Sequence, residues 1–210
     1  MSEPRALPGP PPPPPADFAR RTLPEIRVPE GSVVYRIYLT ARTLAGALYY
    51  GPRADPLECG RWDSPTDAFG VCYLAETARL AFAETLLRDL DRDDVTTHEL
   101  ALRSLASVAV LRELRLLRLH GGHARALRAS GVVQAPYATT QAWSQAIHDH
   151  LAEVDGVYYR SRLDDDAFAI ALYARAAGAV QAKDSTELLD PALAAELGAW
   201  TDHYGIGLAP

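Results

Sequence analysis

The chain has 210 residues, 48% of them hydrophobic and 23% charged, a composition that suits one compact domain with or without a tail. A net charge of −6 argues against direct nucleic-acid binding, and no apolar run approaches the roughly 20 residues that a membrane span needs. The two cysteines, Cys59 and Cys72, make neither a disulfide framework nor a zinc site.

Residues 1–31 read as a disordered, proline-rich tail. Pro10 to Pro15 are consecutive prolines, which favour an extended segment that cannot build a core. No apolar signal-peptide core precedes them, so the expected location is cytoplasmic. The folded domain is expected over residues 32–210. Ser32 to Thr40 is β-rich and reads as its first strand. A loop with Gly51, Pro52, Pro56 and Gly60 leads into "GRWDSPTDAFG", and "VCYLA" is a short strand with Cys72 as a small core residue. Glu76 to Leu90 reads as a helix, because Leu80, Ala83, Leu87 and Leu90 recur at helical spacing. Residues 97–119 divide between strand and helix patterns, and strands over 97–102 and 106–119 are the favoured reading. A short helix ends near Gly131, and a second, capped by Thr139 or Thr140, covers "TTQAWSQAIHDHLAEV". Three strands follow, "GVYYRSR", "AFAIALYA" and "AVQAKDSTEL". A terminal helix starts at Asp190–Pro191 and reaches about Tyr204. Interleaved strands and helices of this kind predict an α+β fold, a mixed sheet with flanking helices. The local basic stretch of Arg103, Arg112, Arg115, Arg118, Arg125 and Arg128 reads as a solvated face.

A few residues could carry chemistry. Glu84 shares a helix face with Leu80, Ala81 and Leu87, so it is either a boundary residue with its head in water or a site carboxylate. Arg36 lies inside "VVYRIYL", where a guanidinium needs an acid or an anionic ligand. Tyr73, just before the Glu84 helix, is either core or part of the same cleft. Ser161 stands between Arg160 and Arg162 at a strand end, as a turn residue or part of an anion-handling site. His148 and His150 point to different helix faces, and His120 and His123 flank Gly121–Gly122 in a turn, so no metal site is expected. The chain has no P-loop, no G-x-G-x-x-G and no G-x-S-x-G. These residues compose an anion site of Arg36, Glu84 and Ser161 without naming a reaction.

Taken together and in order, the segments resemble the RES domain, the toxin component of bacterial toxin–antitoxin pairs. "VYRIY" is similar to the family's opening strand with Arg36, and "GRWDSP" to its R-[FW] segment with Arg61. "GVCYLAETARLAFAETL" matches the strand and helix that hold Tyr73 and Glu84. The T-Q helix, D-G turn and Y-x-S-R strand end match "TTQAWSQAIHDHLAEVDGVYYRSR" and Ser161, and "HYGIGL" resembles the usual ending. The resemblance implies a fold related to the ADP-ribosyltransferases and a reaction on NAD as substrate, with no further cofactor. It implies cleavage of the nicotinamide–ribose bond by phosphorolysis or hydrolysis, or ADP-ribosylation of a protein. Glu84, Arg36 and Tyr73 are then the expected catalytic residues, and Arg36, Arg61, Tyr73 and Ser161 the NAD-binding ones. The expected partner is an Xre-like helix-turn-helix antitoxin, with the chain a homodimer or a hetero-oligomer with that antitoxin. A catalytically silent binding module, contacting a partner through its arginines or prolines, is the reading from another class.

Overall fold

The computed structural model describes residues 11–51, 59–89 and 91–210. Its strands are β1 (Glu25–Val28), β2 (Val33–Leu39), β3 (Val71–Ala75), β4 (Asp94–Thr96), β5 (Arg103–Val110), β6 (Leu114–Arg118), β7 (Gly156–Arg160), β8 (Phe168–Tyr173), β9 (Val180–Glu187) and β10 (Gly207–Ala209). Its helices are α1 (Ala78–Leu86), α2 (Thr97–Ala101), α3 (Gly121–Ala126), α4 (Tyr137–His150) and α5 (Ala194–Tyr204). Eight strands form one mixed sheet in the order β1-β6-β7-β8-β3-β2-β5-β9, and β10 pairs with β4 in a small second sheet. Alternate residues along the strands feed two apolar clusters on opposite faces. One holds Val71, Ala75, Val157, Tyr159 and Ala171 and is covered by α1, α4 and α5. The other holds Val34, Cys72, Leu74, Tyr158 and Ile170. The architecture is the mixed sheet with flanking helices that the sequence predicts.

The ladder is uneven. β2 pairs with β5 along seven positions, Val33 to Leu39, and β3 pairs with β8 along five, Val71 to Ala75. β2 and β3 themselves share a single pair, Tyr35 with Ala75. The sheet therefore has a seam between these neighbours, and α1 packs across both. Unladdered strand backbone must find other partners, which makes such a seam a natural place for a ligand.

Several expectations are corrected. The stretch 97–102, expected as a strand, is mostly the helix α2. Thr96 Oγ1 accepts from Glu99 N at 3.2 Å, and the Glu99 carboxylate accepts from Thr96 N at 3.0 Å, a reciprocal cap that starts a helix whatever follows. The expected strand over 106–119 is two, β5 and β6, and β5 already begins at Arg103. Helix α4 starts at Tyr137, directly after Pro136, so Thr140 lies inside it and donates to the Tyr137 carbonyl at 3.0 Å instead of capping. The proline-rich tail does not end at residue 31. Phe18 is 2% exposed, and β1 pairs antiparallel with β6 at the sheet edge. A four-residue strand beside prolines carries too little periodicity to stand out. Residues 1–10, Pro52, Pro56 and Leu90 lie outside the described residues. Two arginines of the basic stretch are ion-paired, Arg112 with Asp155 at 2.7 Å and Arg115 with Glu25 at 3.0 Å.

Candidate active site

Where β2 and β3 part, a cleft of about 200 Å³ opens on the face covered by α1. Its first wall is α1 with the turn that follows β7. Thr77 caps α1 by accepting from Leu80 N at 3.1 Å, and Leu80 to Ala83 with Leu86 are buried beneath it. This fixes Glu84, half-buried, as the one carboxylate among the described residues that line the cleft. Burial raises the Glu84 pKa above the usual range; the Ser161 hydroxyl, then Arg88, Arg162 and Arg61, work against that rise.

Ser161 stands beneath Glu84. Its Oγ donates to Glu84 Oε1 at 2.7 Å and accepts from Leu163 N at 3.0 Å. It is 0% exposed and is not among the residues that line the cleft, and its hydroxyl holds the carboxylate. The turn itself is held at Asp164, a buried carboxylate that accepts from Tyr204 of α5 at 2.9 Å and pairs with Arg79 of α1 at 3.4 Å. The two arginines beside Ser161 part company. Arg162 lines the cleft, whereas Arg160 lies over the Phe168 ring at 5.2 Å and donates to the Asp165 carbonyl.

The second wall is the loop before β3 with the start of α4. Arg61 lies against the Tyr137 ring at 4.6 Å and donates to the Ala135 carbonyl; burial, the largest influence, lowers its pKa. Arg88, just past the C-terminal cap of α1, reaches Tyr137 Oη at 3.5 Å. Tyr73 holds this loop from below. Its hydroxyl donates to Asp63 Oδ1 at 2.7 Å and accepts from Trp62 N at 2.9 Å, and Asp63 Oδ2 accepts from Gly60 N at 2.6 Å. A Cβ on Gly60 would stand 2.2 Å from Tyr73 Oη, so only glycine allows that approach. Burial, then Asp63, push the Tyr73 phenol well up, which keeps its proton in place. Gln141 donates to the Gly60 carbonyl at 3.3 Å and Ser144 to the Trp62 carbonyl at 2.5 Å, so α4 grips the loop from the other side. Tyr73 thus lines the cleft while its hydroxyl is engaged in shaping the wall.

Arg36 borders the cleft at the seam, but its guanidinium turns away from Glu84. It donates to the Tyr49 carbonyl at 3.3 Å and to Cys72 Sγ, on the face that Cys72 shares with Leu74. The strand pattern that made Arg36 conspicuous also aims it at that face. Arg88, Asp63, Tyr137 and Tyr159 also stand at or behind the cleft, although the sequence does not single them out. Of these, Arg88 has a usable signal, four residues from Glu84 within the helix expected over Glu76 to Leu90.

The family model described as RES domain matches residues 33–193. The chain belongs to the RES domain family. Arg36, Arg61, Tyr73, Glu84 and Ser161 all fall within the matched region, and Phe18 and β1 lie before it. The fold is similar to that of a chain in the crystal structure of the M. tuberculosis MbcT–MbcA toxin–antitoxin complex. That likeness has a TM-score of 0.59 at 22% identity, covering 82% of this chain and 92% of that one. No curated protein matches the chain. Among the described residues, no helix is long and apolar enough to cross a membrane, and no group of three or more His, Cys, Asp or Glu could hold a metal ion.

Proposed function

We propose that this RES domain cleaves the nicotinamide–ribose bond of NAD, as the toxin of a toxin–antitoxin module that depletes cytoplasmic NAD. The observation that carries the reading is Glu84: a single half-buried carboxylate, oriented by a buried Ser161, among Arg61, Arg88 and Arg162. Three guanidiniums around one carboxylate leave the cleft positive on a chain of net charge −6, which suits a substrate with a pyrophosphate. Planar forks pair with phosphate oxygens in two-point contacts, and Arg61 and Arg162 offer such forks from opposite walls.

The chemistry follows from the charge that develops. As the C–N bond breaks, its electron pair passes to the nicotinamide ring nitrogen, and the cationic ring leaves neutral. The ribose C1′ takes on oxocarbenium character. Glu84, ionised and fixed at Oε1 by Ser161, stabilises that positive charge or holds a ribose hydroxyl. A phosphate or a water then adds to C1′, giving ADP-ribose 1″-phosphate, or ADP-ribose after loss of a proton. The partner is proposed to be an Xre-like antitoxin that covers the cleft, a reading supported by the fold shared with a chain of a toxin–antitoxin complex.

The test is incubation of purified protein with NAD, with and without inorganic phosphate, with products separated by chromatography. Nicotinamide release with ADP-ribose or its 1″-phosphate supports the reading, and the product names the acceptor. Label transferred to protein would make the chain an ADP-ribosyltransferase. No release under either condition would leave it a binding module.

A further inference from the structure

The segment before the family match does not trail away from the fold. Trp143 of α4 donates from Nε1 to the Pro12 carbonyl at 3.0 Å, and Phe18 meets the Trp143 ring edge-on with centroids 5.4 Å apart. The Pro11 ring packs over Gly131, 3.4 Å from where a Cβ would stand. Arg21 reaches from just beyond to the Ala126 carbonyl at 3.4 Å. Phe18 and Trp143 are 2% and 0% exposed, so this is packing of core quality.

What the segment touches is the back of a cleft wall. The stretch from Gly131 to Trp143 carries, on its other side, Val133 and Tyr137 in the cleft lining, the Ala135 carbonyl that accepts from Arg61, and the Tyr137 ring against the Arg61 guanidinium. A 3-10 turn over Val132–Gln134, opened by Gly131 with φ +75°, and the start of α4 after Pro136 link them. The connection has its own turn bonds and buries Val132 and Ala135, and the N-terminal segment adds contacts from behind.

The geometry points to residues 11–18 as a positioning strap for Arg61, acting through Trp143 and the 131–143 connection. The inference rests on the NAD-cleaving reading for its kinetic consequence. Without the strap, the wall samples arrangements in which Arg61 is not aimed at the cleft. Apparent affinity then falls in proportion to the fraction of molecules with the wall in place. Glu84, on the other wall, keeps its geometry, so the chemical step on bound substrate is untouched.

Two variants test this. Deletion of residues 1–15 removes Pro11 and the Pro12 carbonyl but keeps Phe18 and β1. Trp143→Phe in the full chain keeps a ring against Phe18 and removes the Nε1 donor, together with part of the buried indole. Both should raise KM for NAD about threefold to tenfold, the span of one net hydrogen bond, with kcat within about twofold of the parent. Amide hydrogen exchange should quicken over residues 131–143 and at Gly60 to Asp63, and be unchanged in α1. An unchanged KM in both variants, or a fall in kcat alone, would overturn the inference and leave the strap as plain stabilising packing. If the parent releases no nicotinamide, the NAD reading fails by itself, and exchange decides: unchanged rates at Gly60 to Asp63 would sink the strap as well.

Discussion

On one wall of the cleft, Glu84 is held by a capped helix and by a serine at a strand end; on the other, Arg61 rides a loop held by Tyr73, Asp63, Gln141 and Ser144. In the first wall the carboxylate stands on a regular helix, although its bond to Ser161 spans 77 residues. In the second, Arg61 stands on a loop between regular elements, held by side-chain bonds with partners up to 81 and 82 residues apart. Under the proposed function, the carboxylate that would stabilise charge thus stands on a helix, and Arg61, one of the guanidiniums that would take the substrate, on a loop placed by convergence. Variants on the two walls should accordingly separate turnover from binding.

Glu84→Gln should break the first wall's function outright. Turnover at saturating NAD should fall by about 100-fold or more, because the charge that steadies the oxocarbenium-like centre is gone. Stability should not fall. Burial lifts the folded-state pKa above its unfolded value, so the ionised carboxylate opposes folding at neutral pH. The glutamine variant should therefore melt at or above the parent at pH 7, and this gain should vanish as the pH drops below the ordinary carboxylate range. Parent-like nicotinamide release, or a loss explained by unfolding, would remove Glu84 from the mechanism.

Ser161→Ala comes next, with about a tenfold loss in kcat from a freer carboxylate. The Ser161 hydrogen bond lowers the Glu84 pKa, so its removal should move the acid limb of the pH–rate profile to higher pH. An unmoved acid limb would mean that Glu84 does not set it. On the other wall, Asp63→Asn places an amide group against one of two donors, Tyr73 Oη and Gly60 N. KM should rise about fivefold with kcat nearly unchanged. A kcat loss as large as that of Ser161→Ala would erase the distinction between the walls.

The smallest effect is expected far from the cleft, at the cap of α2. Arg92, then the Thr96 backbone, hold the Glu99 pKa at about 2. A depressed carboxylate contributes stability that is present above its unfolded pKa and lost as pH falls from there through the folded-state value. Glu99→Gln should lower the melting temperature slightly at neutral pH, less so near pH 2, and leave kcat and KM alone. Any change in kinetics would show that α2 communicates with the cleft.

How much of this was legible in the sequence follows the same division. The Glu84 helix was readable from Leu80, Ala83 and Leu87, and the Ser161 strand from its β-formers, because local periodicity made both. Family likeness then gathered Arg36, Arg61, Tyr73, Glu84 and Ser161, and the structure brings four of them to the cleft, Arg36 with its guanidinium on the opposite face, and Ser161 beneath it. The aim of Arg36, the Asp63–Tyr73 lock and the grip of Trp143 on Pro12 were not readable, because each depends on residues that only the folded chain makes adjacent. Residues 97–102 misled for the opposite reason: a purely local cap, Thr96 with Glu99, outweighed the β-pattern downstream.

The single pair that joins Tyr35 to Ala75 has a mechanical consequence. The ribbon β9-β5-β2 and the ribbon β3-β8-β7-β6-β1 are each continuously laddered, and one stitch ties them. Under tension applied across the strands, the ladder should part there first, leaving two coherent half-sheets hinged on α1. A ligand lodged in the gap would act as a rivet, taking up strain that the missing backbone bonds cannot. Catalytic opening and mechanical weakness would then be one property of the molecule, located at the same line of the sheet.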